Sequence, residues 1–404
     1  MSEELTKPSS VVPLDVIVAS IKAALENASS TVYEEVVSTI SSLMISLERP
    51  IDIIHRLHEG QMPLAIVKSA IDAGILNALA ESEQPLSAGQ LATKIGAASS
   101  LTARLLRYLA AQGMVTQVDK DEYVANEKTK AFAQPSFHGS INYSFGTVTS
   151  INQAVPAFLM EHKFQDIIKN TETPFNKAYN TPLPLFEWFQ HNPEQHKHFM
   201  QYMSIQRHDL VTWLSVFPVE LEMGNWKAED TANDSKRVVF IDVGGGMGHQ
   251  AIAFGQKHPK LGRVILQDLP SVLEHAQVPA NVEKQGNNFF KGQPEKGAKF
   301  YYLRNVLHDH PDQQVIVILK HLMAAMGPDS EILIDEMCLP EKGTTLLQAT
   351  RDFRMGFLLG AVERTLWEWE KLLDATGLMI KAKYQYTNVL ADTVIVAVPK
   401  LASQ

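Results

Sequence analysis

The carboxyl-terminal part of the chain alternates apolar strand patterns with helix patterns, and no other feature limits the fold as strongly. The first strand, Val238–Val243, runs into a turn that contains Gly244, Gly246 and Gly248, and a helix pattern follows. This alternation predicts a mostly parallel, doubly wound α/β sheet. We assign it to residues 226–404, with further strands at Val264–Gln267, Lys299–Leu303, Glu331–Asp335 and Thr393–Val398.

Two carboxylates accompany the glycine turn. Asp242 lies near the end of the first strand, and Asp268 ends the second, roughly 20 residues past the last glycine. Glycines permit a tight turn and close approach of a ligand to the backbone, and an acid at the second strand end can accept both ribose hydroxyls. Asp268 has an alternative role as a helix cap before Pro270. The glycine spacing also differs from that of dinucleotide enzymes.

Three regions precede the sheet domain. Residues 1–60 carry helix patterns with one apolar face, which we interpret as a dimerisation arm, the alternative being that this face packs on the same chain. Residues 61–126 predict a winged-helix-like domain, with a hairpin around Asp119–Asp121. Residues 127–225 are rich in Phe, Met and Trp and predict a helical region that connects the domains and lines a substrate pocket.

Composition excludes several classes of partner. The net charge of −9, from 36 basic and 45 acidic residues, disfavours binding to nucleic acid or anionic lipid. The second helix of the winged-helix unit offers only Arg104 and Arg107 as basic residues. The sequence has no apolar run long enough for a membrane span and no signal-peptide pattern at its start. Its single cysteine, Cys338, rules out an internal disulfide, so we expect a cytoplasmic protein.

Six motifs in order along the chain resemble those of the plant and fungal small-molecule O-methyltransferases, a class I S-adenosylmethionine-dependent family. The matching segments are Val238–His249, Val264–Pro270, Asn287–Phe290, Tyr302–Asp309, Asp352–Met355 and Glu363–Thr365. The winged-helix unit and the helical arm also resemble this family's amino-terminal domain. The resemblance covers nearly the whole chain and implies a Rossmann-like methyltransferase sheet, S-adenosylmethionine as cofactor, and a homodimer whose pockets are completed by the partner chain.

The same resemblance implies which residues bind the cofactor. Asn288 stands where the family usually has an aspartate that accepts from the adenine amino group, and Asn can still accept through its carbonyl oxygen. Arg304 stands where the family usually has a lysine, and its fork geometry differs. The full predicted set is Asp242, Gly244, Gly246, Gly248, Asp268, Leu269, Asn288, Phe289 and Arg304.

Methyl transfer to oxygen needs a base for the hydroxyl proton, and a histidine with a pKa near neutrality suits this task. His308 follows a strand at the sheet edge where ligands bind, and its flanking sequence resembles the family's catalytic motif. Glu336 and Glu363 match the family's two glutamates, which we expect on opposite sides of the ring. Asp309 matches a residue close to the reacting centre, with helix capping as its alternative.

The pocket and a metal alternative complete the predicted site. The resemblance implies a substrate wall of Met203, Met355 and Leu359, with Met160 as a further member. Methionines suit a flat, apolar ligand. A metal cluster of His308, Asp309 and His310 is disfavoured, because the three lack the spacing of ligands on one helix face, and we predict no metal.

The predicted function is O-methylation of a hydroxyl on a small aromatic or polyketide-like metabolite, with His308 as general base. The alternative within the family is a dehydratase or pericyclase that binds S-adenosylmethionine without transferring its methyl group, so that the sulfonium acts as a fixed charge. A third interpretation is a cofactor-binding regulator that uses its winged helix. The sparse basic charge on that helix disfavours it.

Overall fold

The computed structural model describes residues 12–26, 28–205, 211–224 and 237–400. The boundary between the helical connecting region and the sheet domain, predicted from the sequence at residues 225 and 226, therefore lies outside the described residues. No helix in these ranges is long and apolar enough to cross a membrane.

Three helices form the amino-terminal arm. Ser29 caps the second helix by accepting a hydrogen bond from the Val32 N–H, and Pro50 occupies the first turn of the third, where a missing N–H costs nothing. The first and third helices contain no buried residue, so their apolar side chains face outward in the single chain. The helices are α1 (Leu14–Leu25), α2 (Ser30–Leu47) and α3 (Pro50–Glu59).

The next domain is a helical unit with a three-stranded sheet. A capping box begins its third helix, since the side chains of Ser87 and Gln90 each accept from the other residue's backbone N–H. The sheet has the order β1-β3-β2, and its short first strand was not predicted from the sequence. The elements are α4 (Met62–Asp72), α5 (Ile75–Ala80), β1 (Leu86–Ser87), α6 (Ala88–Ile95), α7 (Ser99–Ala111), β2 (Thr116–Asp119) and β3 (Glu122–Val124).

The connecting region is helical, as predicted, and packs around an aromatic cluster. Tyr143, Phe175 and Phe189 are buried there together with Leu358 and Leu359 from a helix of the sheet domain. The helices are α8 (Glu127–Phe132), α9 (Pro135–Asn142), a π-helical turn (Tyr143–Val148), α10 (Thr149–Glu161), α11 (Pro174–Tyr179), α12 (Leu185–His191), α13 (Pro193–Ile205) and α14 (Val219–Glu222).

The carboxyl-terminal domain is built on a mostly parallel sheet, which confirms the predicted fold class. The strands are β4 (Val238–Val243), β5 (Arg263–Asp268), β6 (Val282–Gly286), β7 (Phe300–Arg304), β8 (Glu331–Leu339), β9 (Arg364–Thr365), β10 (Leu378–Gln385) and β11 (Asp392–Pro399). Their order is β10-β11-β8-β7-β4-β5-β6, and the short β9 pairs with β8. Strand β11 runs antiparallel to both β10 and β8, whereas all pairs formed among β4 to β9 are parallel.

Helices cover both faces of this sheet, and two separate apolar cores fill the gaps. The helices are α15 (His249–Lys257), α16 (Pro270–Leu273), α17 (Asp312–Met323), α18 (Leu346–Leu359) and α19 (Leu366–Asp374), with single 3₁₀ turns at Phe289–Lys291 and Leu307–Asp309. Because parallel strands end at one edge, the chain after β4, β5, β7 and β8 converges there, where ligands bind in open α/β sheets.

Candidate active site

The glycine turn after β4 has the backbone that its sequence predicts. Gly244, Gly246 and Gly248 have φ angles of +72°, +58° and +84°, which side chains of L-residues rarely adopt. A Cβ on Gly245 would collide with the carboxyl group of Asp242, whereas the space beside Gly246 is open. The turn therefore brings bare backbone to the sheet edge, which is the cradle that a nucleotide-type cofactor requires.

Asp268 ends β5 and reaches across to this turn. Its Oδ2 atom accepts a 2.8 Å hydrogen bond from the Gly246 N–H, and its Oδ1 atom accepts a 2.7 Å bond from the Leu269 N–H. Helix α16 has no side-chain cap, so the capping alternative for Asp268 is wrong. Each carboxylate oxygen keeps a second lone pair for a ligand hydroxyl. Burial raises the pKa of Asp268, and the two N–H groups oppose this rise.

Asp242 is buried beneath the turn and supports it. Its Oδ2 atom accepts a 3.0 Å hydrogen bond from the Ala251 N–H in the first turn of α15. Burial raises the pKa of Asp242 to about 7, and the Ala251 N–H and the Arg304 cation oppose the rise. This carboxylate holds the glycine turn against the helix from inside the protein.

The remaining predicted cofactor residues surround the same edge. Leu269 is exposed, and the Phe289 ring lies beside Gly244. The Asn288 side chain accepts a 3.0 Å hydrogen bond from the Phe290 N–H. Arg304 points into the protein, where its Nε atom lies 3.5 Å from Oδ2 of the buried Asp335. Together with the open backbone at Gly246 and the unused lone pairs of Asp268, this arrangement fits a nucleoside cofactor.

His308 lies in the 3₁₀ turn after β7, and three carboxylates surround its ring. Its Nδ1 atom is 3.0 Å from Oε1 of Glu363 and 3.5 Å from Oε2 of Glu336, and its Nε2 atom is 3.5 Å from Oδ1 of Asp309. The expectation that the glutamates lie on opposite sides of the ring is wrong, because both approach Nδ1. The 3.0 Å contact makes Glu363 the hydrogen-bond partner of the imidazole.

Glu336 contacts mainly the backbone of the His308 turn. Its Oε1 atom accepts hydrogen bonds of 3.0 and 2.9 Å from the N–H groups of Val306 and Leu307, and a 3.4 Å contact from that of His308. Within the described ranges, its Oε2 atom and Oε2 of Glu363 are buried without a hydrogen-bond partner. Burial raises the pKa of Glu336 to about 7, against the opposing effect of His308.

The charge balance around His308 differs from what the sequence predicts. Burial alone would lower the pKa of the ring, but Glu336, Glu363 and Asp309 outweigh burial and raise it from 6.5 to about 10. The three carboxylates therefore favour the imidazolium form in the protein without ligands, which differs from the pKa near neutrality expected from the sequence. Burial also raises the pKa of Asp309 to about 6.

Two polar neighbours of His308 differ from their sequence alternatives. Asp309 lies beside Nε2 of His308, and Pro311, not Asp309, is the N-cap of α17. His310, which the sequence analysis considered only as part of a metal cluster, lies edge-on to the rings of Phe289 and Phe290. Burial lowers the pKa of His310 to about 4, so its ring is neutral.

The predicted substrate wall is only partly assembled. Met355 packs against the aromatic cluster of the connecting region, and Leu359 is buried within it. Met160 and Met203 are not members of that cluster and are 69% and 40% exposed. Helix α18, which carries Met355 and Leu359, also packs against the His308 turn.

Sequence reasoning assigned no role to two residues that support the site. Asp352 of α18 accepts a 3.0 Å hydrogen bond from the Glu363 N–H, which fixes the backbone of the residue that contacts His308. Arg364 is buried next to Glu363 and contacts the His308 turn. Both lie in quoted motifs, Asp352–Met355 and Glu363–Thr365, so a search for polar residues inside those motifs would have found them.

His308, Glu336 and Glu363 also offer one ligand atom each within 4.8 Å of one another, a grouping that could hold a metal ion. It differs from the His308, Asp309 and His310 set considered from the sequence. The absence of a metal from the reaction stays a prediction.

A glycine turn, an acidic strand end and a carboxylate-bound histidine at one sheet edge define a class of enzyme that binds a nucleoside cofactor and moves a proton. Two family models match the chain, the O-methyltransferase domain over residues 161–379 and the O-methyltransferase dimerisation domain over residues 56–134. The second range includes the winged-helix unit and only the end of the amino-terminal arm.

Similar proteins cover nearly the full length of the chain. Demethylsterigmatocystin 6-O-methyltransferase of Aspergillus parasiticus is 36% identical over 96% of this chain and 98% of its own. O-methyltransferase lepI of Aspergillus flavus is 35% identical over 94% and 98%. A structure described as LepI in complex with SAM has a TM-score of 0.87 at 35% identity, covering 96% and 98% of the two chains. A structure described as a pericyclic reaction enzyme has the same TM-score and identity and covers 96% and 99%.

The chain belongs to the S-adenosylmethionine-dependent O-methyltransferase family. It is an enzyme whose cofactor is S-adenosylmethionine, and its dimerisation domain makes it a homodimer.

Proposed function

We propose that this enzyme methylates a hydroxyl group of a small aromatic or polyketide-like molecule, with His308 as the group that accepts the hydroxyl proton. The observation that carries the proposal is the 3.0 Å contact between Nδ1 of His308 and Glu363, at the sheet edge where Asp268 and the glycine turn fit the cofactor. With Nδ1 held by Glu363, Nε2 is the ring atom that remains for the acceptor hydroxyl.

Bound S-adenosylmethionine supplies an electrophilic methyl group on a positively charged sulfur. Asp268 and the backbone at Gly246 would hold its ribose end, and Asn288 and Phe289 would line the adenine side. His308 accepts the proton of the acceptor hydroxyl only when its ring is neutral. A positive charge next to the ring would lower its raised pKa and favour that neutral form, because like charges disfavour the protonated one.

The proposed substrate class rests on the pocket side of α18 and on the relatives. Met355 is partly buried against the aromatic cluster and Leu359 is buried within it, on the helix that also packs on the His308 turn. Apolar side chains next to the reacting group favour a flat, apolar acceptor. The name of one relative, demethylsterigmatocystin 6-O-methyltransferase, describes methyl transfer to an oxygen of demethylsterigmatocystin. We place the reaction in the cytoplasm, since the single Cys338 suits a reducing compartment.

One observation favours a second candidate, a cofactor-dependent dehydration or pericyclic reaction without methyl transfer. Three carboxylates lie within 3.5 Å of the His308 ring and raise its pKa, which favours the imidazolium form. An imidazolium donates hydrogen bonds through both nitrogens and can polarise a substrate oxygen. A structure with a TM-score of 0.87 to this chain is described as a pericyclic reaction enzyme.

The test that separates the two candidates is stoichiometric. A panel of phenolic and polyketide compounds is incubated with enzyme and S-adenosylmethionine, and product and S-adenosylhomocysteine are quantified by mass spectrometry. We expect one S-adenosylhomocysteine per product and a mass gain of one methylene group. Product that forms without S-adenosylhomocysteine would overturn the proposal in favour of the second candidate.

A further inference from the structure

Arg364 is buried at the start of β9 with an exposed side-chain fraction of 1%, and its guanidinium faces the turn that carries His308. Its Nη1 atom donates a 3.2 Å hydrogen bond to the Leu307 carbonyl, and its Nη2 atom donates a 2.9 Å bond to the His310 carbonyl. These two carbonyls flank His308 in the sequence. The remaining polar contact is with Asp312, at 3.0 Å from Nε and 2.7 Å from Nη2.

The backbone of the turn, residues 306–310, has a partner for every N–H group. Glu336 receives the first three, as described above, and the N–H groups of Asp309 and His310 bond to the carbonyls of Val306 and Leu307. One carboxylate thus holds the donors at the start of the turn, and one guanidinium holds acceptors on both sides of His308. Buried backbone groups need such partners, because an unpaired one costs ~1–3 kcal/mol.

We propose that Arg364 is a positioning residue for the proposed methyl transfer, and that Arg364 and Glu336 together clamp the backbone of the His308 turn. Glu363 contacts the imidazole itself, whereas Glu336 and Arg364 hold the backbone of the turn and thereby fix the position of the imidazole. The inference rests on the proposed function only for its kinetic consequences.

Because of its place in the chain, Arg364 also fixes the position of the His308 turn relative to Glu336 and Glu363. Arg364 directly follows Glu363, and it pairs with Cys338 of β8, two residues after Glu336. The guanidinium therefore ties the turn to β8, which carries Glu336, and to β9, which begins directly after Glu363. A displacement of about 1 Å between reacting groups can cost roughly 100-fold in rate.

The fork shape of the guanidinium is essential to this arrangement. Arg364 reaches two carbonyls and one carboxylate at once, and its carbon atom Cζ lies 5.2 Å from the centre of the Trp369 ring. A lysine carries the same charge but offers a single ammonium group, which cannot span both carbonyls. The contact of Arg364 with Asp312 contributes less than its bonds to the two carbonyls, because the Asp312 side chain is 65% exposed and water can replace it.

The test compares Arg364→Lys and Arg364→Met with Asp312→Asn as the matched control. We expect kcat to fall about 10- to 100-fold in both Arg364 variants, with an unchanged Kd for S-adenosylmethionine and a small change in acceptor KM. Asp312→Asn removes the charge partner but leaves both carbonyl bonds, so its kcat should stay within about twofold of the wild type. Thermal unfolding identifies variants that fold, and Arg364→Lys carries the test if Arg364→Met does not.

A second readout does not depend on catalysis. The pKa of His308, followed by NMR of protein with ¹³C-labelled histidine, should fall towards its ordinary value in the Arg364 variants, because the ring moves away from Glu363. Asp312→Asn should leave it in place. Folded Arg364 variants with wild-type kcat and wild-type His308 titration would overturn the inference. If no acceptor is methylated by the wild type, the proposed function fails while the NMR arm still decides the role of Arg364.

Discussion

At the scale of single residues, the site depends on charges that are few and close together. His308 has one strong partner, Glu363 at 3.0 Å, and two carboxylates at 3.5 Å. Asp268 combines two backbone N–H groups with free lone pairs at the cofactor end. Glu363 and Asp268 each support a prediction that a single substitution can test.

The first prediction concerns the pH dependence of activity. Since the pKa of His308 is raised from 6.5 to about 10, the acidic limb of the pH profile of kcat/KM, which reports the free enzyme, should lie well above pH 6.5. Glu363→Gln removes one negative charge next to Nδ1, so this limb should move to lower pH. Glu370→Gln, at an exposed position on α19, is the control and should not move it. A limb that stays in place in folded Glu363→Gln would contradict the assignment.

The second prediction concerns cofactor affinity. Hydrogen bonds to a charged group contribute ~1.5–3 kcal/mol, so Asp268→Ala should weaken S-adenosylmethionine binding by at least about tenfold. Asp268→Asn keeps the shape of the side chain without its charge, so its affinity for S-adenosylmethionine should lie between those of the wild type and Asp268→Ala. Isothermal titration calorimetry on folded variants measures both, and unchanged affinity in Asp268→Ala would rule out the ribose contact.

At the scale of elements, strands β7 and β8 have charged side chains at both of their ends. Their carboxyl ends lead to His308 and Glu336, whereas their amino ends carry an ion pair between Lys299 and Glu331, 2.9 Å apart and at most 5% exposed. Lys381 of β10 also contacts Glu331 at 2.8 Å and joins it to Glu222 of α14. This network links the connecting region to the edge of the sheet that lies away from the active site.

We therefore predict that Lys299→Met destabilises the fold without impairing catalysis at low temperature. Removing one partner of a buried ion pair typically costs about 3 kcal/mol, and the partly exposed Lys381 compensates only part of the remaining Glu331 charge. Urea unfolding should show this loss, and the double variant Lys299→Met/Glu331→Leu should recover part of it. Lys94→Met breaks an exposed pair with Glu81 and should cost less than about 1 kcal/mol. Equal stability of Lys299→Met and Lys94→Met would contradict the prediction.

At the scale of the whole molecule, the amino-terminal arm has apolar side chains that a single chain leaves exposed. Ile51, Ile54 and Leu57 of α3 are 50%, 60% and 60% exposed, and no residue of α1 or α3 is buried. Apolar faces of this extent mark an interface, and a second copy is the partner that the dimerisation domain implies.

The last prediction is that the arm holds the homodimer together. Ile54→Glu with Leu57→Glu places two charges on its apolar face and should yield a monomer at micromolar concentration, where the wild type is a dimer. Light scattering measures the mass of each. Met379→Glu, which introduces a charge at a half-exposed apolar position of β10 outside the dimerisation domain, is the control and should remain dimeric. A dimeric arm variant would place the interface elsewhere.

The accuracy of the secondary structure predicted from the sequence differs from strand to strand. The apolar strands β4, β5, β7, β8 and β11 were predicted within a few residues, because strands that are buried on both faces have continuous apolar runs. Strand β6, which is mostly exposed, and strand β10, which alternates in burial, were missed. Their sequences, Val282–Gly286 and Leu378–Gln385, contain several lysines and polar residues, and only pairing with a formed neighbour makes them strands.

By itself the sequence determined the α/β sheet domain, the glycine turn and the acid at the end of β5, because strand periodicity and positive φ angles are local properties. Only the tertiary structure decided how His308 is held, because Glu363 and Arg364 lie more than 50 residues further along the chain. It placed both glutamates on Nδ1 and set the pKa of the ring through burial and three nearby charges. Such values depend on distances between distant segments, which local sequence patterns do not encode.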